Sequence, residues 1–142
     1  VELRQGYEAR ALIEPHCAGL AAKHASKAEA DGIRAAFDGG EQAARDRDLP
    51  ALVAMDQRFH AAVARAGGNM ALARILIPLQ HKAARYWVFS FGAATEAELI
   101  ADVEQHRAVA DVIARGDVEG ARLAMMRVLN IMPEATRPMV QG

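Results

Sequence analysis

The chain has 142 residues and a formal net charge of −1, with 52% apolar, 25% charged and only 5% aromatic residues. That is enough chain for one buried core and too ordinary a composition for a disordered segment. The charges are interspersed and form no basic stripe, so direct nucleic-acid binding by this chain is not expected.

Cys17 is the one cysteine, which excludes an internal disulfide framework and suits a reducing cytoplasm. No apolar run approaches the roughly 18 residues that span a bilayer. Glu2 and Arg4 interrupt any signal-peptide core. The first residue is Val, and a fragment of a longer polypeptide is expected. Abundant alanine, few aromatics and five prolines, mostly near segment ends, favour helices over strands.

Six helical segments follow in chain order. The first covers about Leu3 to Ala25, with Ile13, Cys17, Leu20 and Ala21 on one apolar line that Arg10 extends. The second covers about Lys27 to Arg47, capped by Ser26, with a bend or break expected at Gly39-Gly40. The third starts after the cap Asp48, carries Pro50 in its first turn and ends at Gly67-Gly68. Asn69 caps a fourth that runs to about Phe91, with a kink expected near Pro78. The fifth runs from about Thr95 to Arg115, opened by the capping box T-E-A-E and stopped by Gly116. Asp117 caps the sixth, which ends before Pro133, and the tail ATRPMVQG reads as frayed. Short joints between such helices imply an all-α antiparallel bundle.

Three polar residues break the apolar lines. Asp56 and His60 fall in register with Val53 and Val63, and His106 shares a face with Leu99, Val103, Ala110 and Ile113. A buried carboxylate or imidazole is costly unless it is paired or ligated. The spacing D-x-x-x-H puts Asp56 and His60 one turn apart, and His106 would join them from another helix. Two imidazoles and a carboxylate suit a divalent metal such as Zn²⁺, Ni²⁺, Mn²⁺ or Fe²⁺. The competing interpretation is a local Asp56–His60 pair with His106 bonded to a backbone carbonyl.

Arg10 offers a fork for an acidic ligand. Its alternative partner is Glu14, one turn on, in a partly exposed pair. His81 and Arg85 lie one turn apart beyond Pro78 and could line the same cavity or a solvated face. His16 and His24 read as exposed. Tyr86, Trp87, Phe89 and Phe91 read as core or dimer contacts, and Met125, Met126 and Met132 as core filler.

Three stretches in order, GYEARALIEPHCAGLAA at 6–22, MDQRFHAAVARAGGN at 55–69 and EQHRAVADVIARGDVEGAR at 104–122, resemble the effector-binding C-terminal domain (FCD) of FadR-type regulators in the GntR superfamily. The resemblance covers almost the whole chain. It implies a bundle of six or seven helices around an effector cavity, where many members hold a metal with one aspartate and three histidines. Asp56, His60 and His106 match the first three ligands, and Arg10 matches an arginine that can engage an acidic effector. In the fourth ligand pattern, G-D-x-x-x-A-R-x-x-M-x-x-H-L, this chain reads GDVEGARLAMMRVL, with Val128 at the histidine position. Valine cannot ligate, which leaves that position to water, the effector or His81.

The resemblance further implies a homodimer that senses a small carboxylate, an organic or sugar acid, and reaches operator DNA through a separate winged-helix domain preceding this one. Acyl-CoA is another effector class known in the family. No catalysis is expected. The rival functions are a metal-dependent enzyme with a 2-His-1-carboxylate site, which lacks a partnered base or nucleophile, and a helical interaction module with a satisfied polar core.

Overall fold

A computed structural model describes residues 2–131, and within them the side chains other than those of residues 2, 3 and 85. Met132 and the tail therefore lie outside the described residues. Seven helices and no strand are found among the described residues: α1 (Glu2–His24), α2 (Lys27–Ala35), α3 (Gly40–Arg45), α4 (Leu49–Ala66), α5 (Met70–Ala93), α6 (Glu96–Ala114) and α7 (Val118–Val128). Six segments become seven because the Gly39-Gly40 break splits the second.

That break has a local cause. Gly39 sits at φ +77°, a left-handed conformation that costs most residues about 1 kcal/mol or more. Gly40 is buried so tightly that a Cβ there would lie 2.8 Å from Val103 Cγ1. Arg107 then ties the break to α6, donating to the Phe37 carbonyl and to both Glu41 oxygens at 2.7 Å.

The other helix starts follow local rules. Asp48, Asn69, Thr95 and Asp117 each accept the backbone N–H three residues on. The complete reciprocal box forms at Ser26 and Glu29. α5 continues across Pro78, and α1 across Pro15. Both prolines remove one intrahelical hydrogen bond, a loss that packing must offset.

α1 lies against α4, α5 and α7, while α2 and α3 cover α4 and α6. The main core gathers Ile33, Phe37, Phe59, Val63, Val103, Val109 and Met125, all at most 2% exposed. Ala18, Ala21, Ala44 and Ala121 are wholly buried and allow close helix approach. A smaller cluster of Cys17, Ala64, Ala73 and Leu76 seals α1 against the α4–α5 hairpin. None of the described helices is long and apolar enough to cross a membrane.

Candidate metal centre and adjoining cavity

α4 presents Asp56 and His60 on its inward face, and α6 presents His106 opposite them. His60 and His106 are 3% and 1% exposed, and Asp56 is partly buried. Phe59 and Phe37 pack on the His106 ring with centroids 5.0 and 4.6 Å away. These apolar walls hold the imidazole in place and keep water off it.

Three ligand-type atoms converge. Asp56 Oδ1 is 3.1 Å from His106 Nε2 and 3.3 Å from His60 Nε2, and the two ring nitrogens are 3.3 Å apart. Donor atoms about 2.1 Å from one ion are about 3.0 Å apart in cis-octahedral geometry and about 3.4 Å apart in a tetrahedron. The observed triangle matches that range. Asp56, His60 and His106 form the one such group among the described residues.

The outer nitrogens are also placed. His106 Nδ1 lies 2.7 Å from the Asp102 carbonyl, which calls for a proton on Nδ1 and turns the Nε2 lone pair inward. The carbonyl contact and the Asp56–His60 pair of the competing interpretation are thus both present, as parts of the same cluster. His60 Nδ1 lies 3.1 Å from Glu14 Oε1, although the approach is off the N–H axis and is an ion contact rather than an aligned hydrogen bond. Without a cation, three acceptor-type atoms must share protons from His60 and His106. A divalent ion resolves that conflict, so the donor set fits a metal on three protein ligands.

The charges are strongly coupled. Burial pushes the Asp56 carboxyl up, but the charge of His60 and hydrogen bonds from both imidazoles outweigh it and hold Asp56 far below the usual carboxylate range. Burial alone would lower His60; the Glu14 and Asp56 carboxylates outweigh it and raise its pKa to about 10. Burial pushes Glu14 up as well, but His60, then Arg10 and Gln80, outweigh it and hold the carboxyl below its ordinary value. Burial raises Asp102.

Arg10 and Glu14 do pair, through Nε at 3.1 Å and Nη2 at 3.0 Å, but their side chains are each only 3% exposed. The expected partly exposed pair is instead fully internal, because α5 brings Gln80 over it to donate to Glu14 Oε1. Glu14 is the functional candidate that sequence reasoning passed over. R-x-x-x-E spacing is the same for surface and buried pairs, so the missing signal was the burial of that face.

A cavity of about 1260 Å³ opens between α1, α5 and the end of α7, lined by Tyr7, Arg10, His81, Trp87 and Val128 among others. Asp56, His60 and His106 do not line it; Arg10 reaches them only through Glu14. His81 is exposed on the cavity wall and stands outside the triad. The Arg85 side chain lies outside the described residues. His16 and His24 are exposed, Phe91 and Met125 are core, and Tyr86 and Phe89 are 52% and 80% exposed.

The family profile described as FCD domain matches residues 5–130, and this chain belongs to that family. Two curated relatives, both named "Putative L-lactate dehydrogenase operon regulatory protein", from Escherichia coli K12 and Shigella flexneri, are each 31% identical over 135 residues. The alignment covers 88% of this chain and 48% of each relative, so the chain spans about half their length. The solved structure described as E. coli McbR/YncC superposes with a TM-score of 0.79 at 16% identity, over 90% of this chain and 60% of that one. At that identity the likeness is one of fold.

Proposed function

We propose that this chain is the ligand-sensing and dimerising domain of a bacterial transcription regulator, responding to a small carboxylate. The observation that carries the reading is the convergence of Asp56 Oδ1, His60 Nε2 and His106 Nε2 inside an FCD-family bundle, one residue removed from an arginine that lines a cavity. The regulator names of the relatives support the transcriptional role. Contact with operator DNA would belong to a separate domain of the full protein, since the chain spans about half of those relatives.

Asp56, His60 and His106 would hold a divalent ion behind the cavity wall, which would supply a fixed positive charge coupled to Arg10 through His60 and Glu14. Arg10 would orient the acid through its two-pronged guanidinium. The aromatic and aliphatic wall from Tyr7, Leu79 and Trp87 would take the rest of the ligand. Binding would favour one packing of α1 against α5 and α7 and so shift the geometry passed to the partner subunit. The size of that shift is limited by the acid's differential affinity for the two packings.

The test is a thermal-shift screen of small organic and sugar acids, with and without prior chelation. A hit that stabilises the domain by mass action and vanishes after chelation is the expected result. A hit that survives chelation would retain the acid sensor and remove the metal from it. A panel with no hit would sink the small-acid reading.

A further inference from the structure

Glu14 has no place in the triad, yet it is a carboxylate only 2% exposed, a costly arrangement unless its oxygens are fully engaged. Oε2 takes the Arg10 fork, while Oε1 takes Gln80 Nε2 and lies 3.1 Å from His60 Nδ1. The opposite nitrogen of the same His60 ring lies 3.3 Å from Asp56 Oδ1 and from His106 Nε2. One carboxylate therefore touches a wall residue of the cavity and the back of a candidate ligand.

We propose that Glu14 is a positioning residue for the metal centre, and that Arg10 acts on the centre through it. This inference rests on the metal-centre reading above. A carboxylate behind a ligating imidazole keeps the proton on Nδ1, presents the Nε2 lone pair and increases its basicity; removing such a partner typically costs about 10- to 100-fold in metal affinity. Arg10 and Gln80 hold Glu14 Oε1 beside Nδ1, where its negative charge favours a proton on that nitrogen although the approach is off the N–H axis. An occupant of the cavity that draws Arg10 away from Glu14 thereby has a route to His60 without touching any ligand.

The experiment is a Zn²⁺ titration by competition against a chromogenic chelator, on the whole domain and three variants: Glu14→Gln, Arg10→Gln and the Arg10→Gln/Glu14→Gln double. Nitrogen NMR of the His60 ring in the Zn²⁺-loaded protein reports its proton position, which a merely structural role for Glu14 would leave unchanged. Glu14→Gln should weaken Zn²⁺ by about 10- to 100-fold and alter the His60 Nδ1–H signal. Arg10→Gln should weaken Zn²⁺ less. The double variant should bind as Glu14→Gln does, because Arg10 has no other route.

Where Glu14→Gln leaves Arg10 unpaired and unfolds, as read by circular dichroism, the charge-neutral double variant takes its place with the same expected loss against wild type. Wild-type affinity in Glu14→Gln, or losses from Arg10 and Glu14 that multiply, would overturn the inference alone. Failure of the wild-type domain to bind Zn²⁺ would overturn the metal-centre reading and this inference together.

Discussion

At the scale of single residues, burial converts familiar spacings into chemistry. Asp56 and His60 were legible as a candidate site because both interrupt an apolar line, and His106 for the same reason on α6. Glu14 was not legible in that way, since its closure depends on Gln80 arriving from α5. The sequence offered His106 a backbone carbonyl without saying which; it is that of Asp102, 2.7 Å from Nδ1. Val128 is the departure with the sharpest consequence. The resemblance implies a histidine there, and Val128→His should raise Zn²⁺ affinity if the new imidazole supplies a fourth ligand. Competition titration reads this directly, and an unchanged affinity would mean that position 128 does not reach the ion.

Cys17 gives an independent check of the core beside Glu14. Burial, and then the Glu14 carboxylate, raise its thiol from 9.0 to about 11. A group kept neutral by folding ionises first in the unfolded chain, so stability should be fully present below about pH 9 and decline as pH rises toward 11. Correspondingly, alkylation of Cys17 at mildly alkaline pH should be slow and proceed only through opening of the fold. Rapid labelling of the folded protein would contradict the packing of α1 on the α4–α5 hairpin.

At the scale of elements, the helix starts were readable because caps are local. A side-chain oxygen meets an N–H three residues away, and five such caps lie where Ser, Asp, Asn and Thr precede helical patterns. The split between α2 and α3 was readable as a weakness at Gly39-Gly40. Its tertiary cause was not, because Val103 on α6 occupies the space that a Cβ at Gly40 would need. Gly40→Ala should therefore cost about 1–3 kcal/mol, since Val103 is stiff and wholly buried. Chemical denaturation measures this, with any Zn²⁺ affinity expected to stay unchanged because α3 carries none of Asp56, His60 and His106. A neutral effect on stability would show that α3 can shift freely against α6.

At the scale of the whole molecule, the bundle separates a dry polar cluster between α4 and α6 from an open cavity between α1, α5 and α7. The class of fold was legible from periodicity and joint length. The cavity's position was not, because its walls come from residues more than 100 positions apart, with Tyr7 bonded to the Leu129 carbonyl across α1 and α7. Arg10 was expected to engage an acidic effector, and the fold places Glu14 between it and the triad. The exposed apolar side chains Leu12 and Phe89, 81% and 80% accessible, are candidates for burial in the proposed homodimer.

The most direct test of the account is Zn²⁺ calorimetry on chelator-stripped domain, comparing wild type with His106→Ala and His60→Ala. The account predicts one saturable site per chain in the wild type, lost in both variants while their helical signal remains. Saturable binding that survives both substitutions, or none in the wild type, would contradict a metal centre at Asp56, His60 and His106.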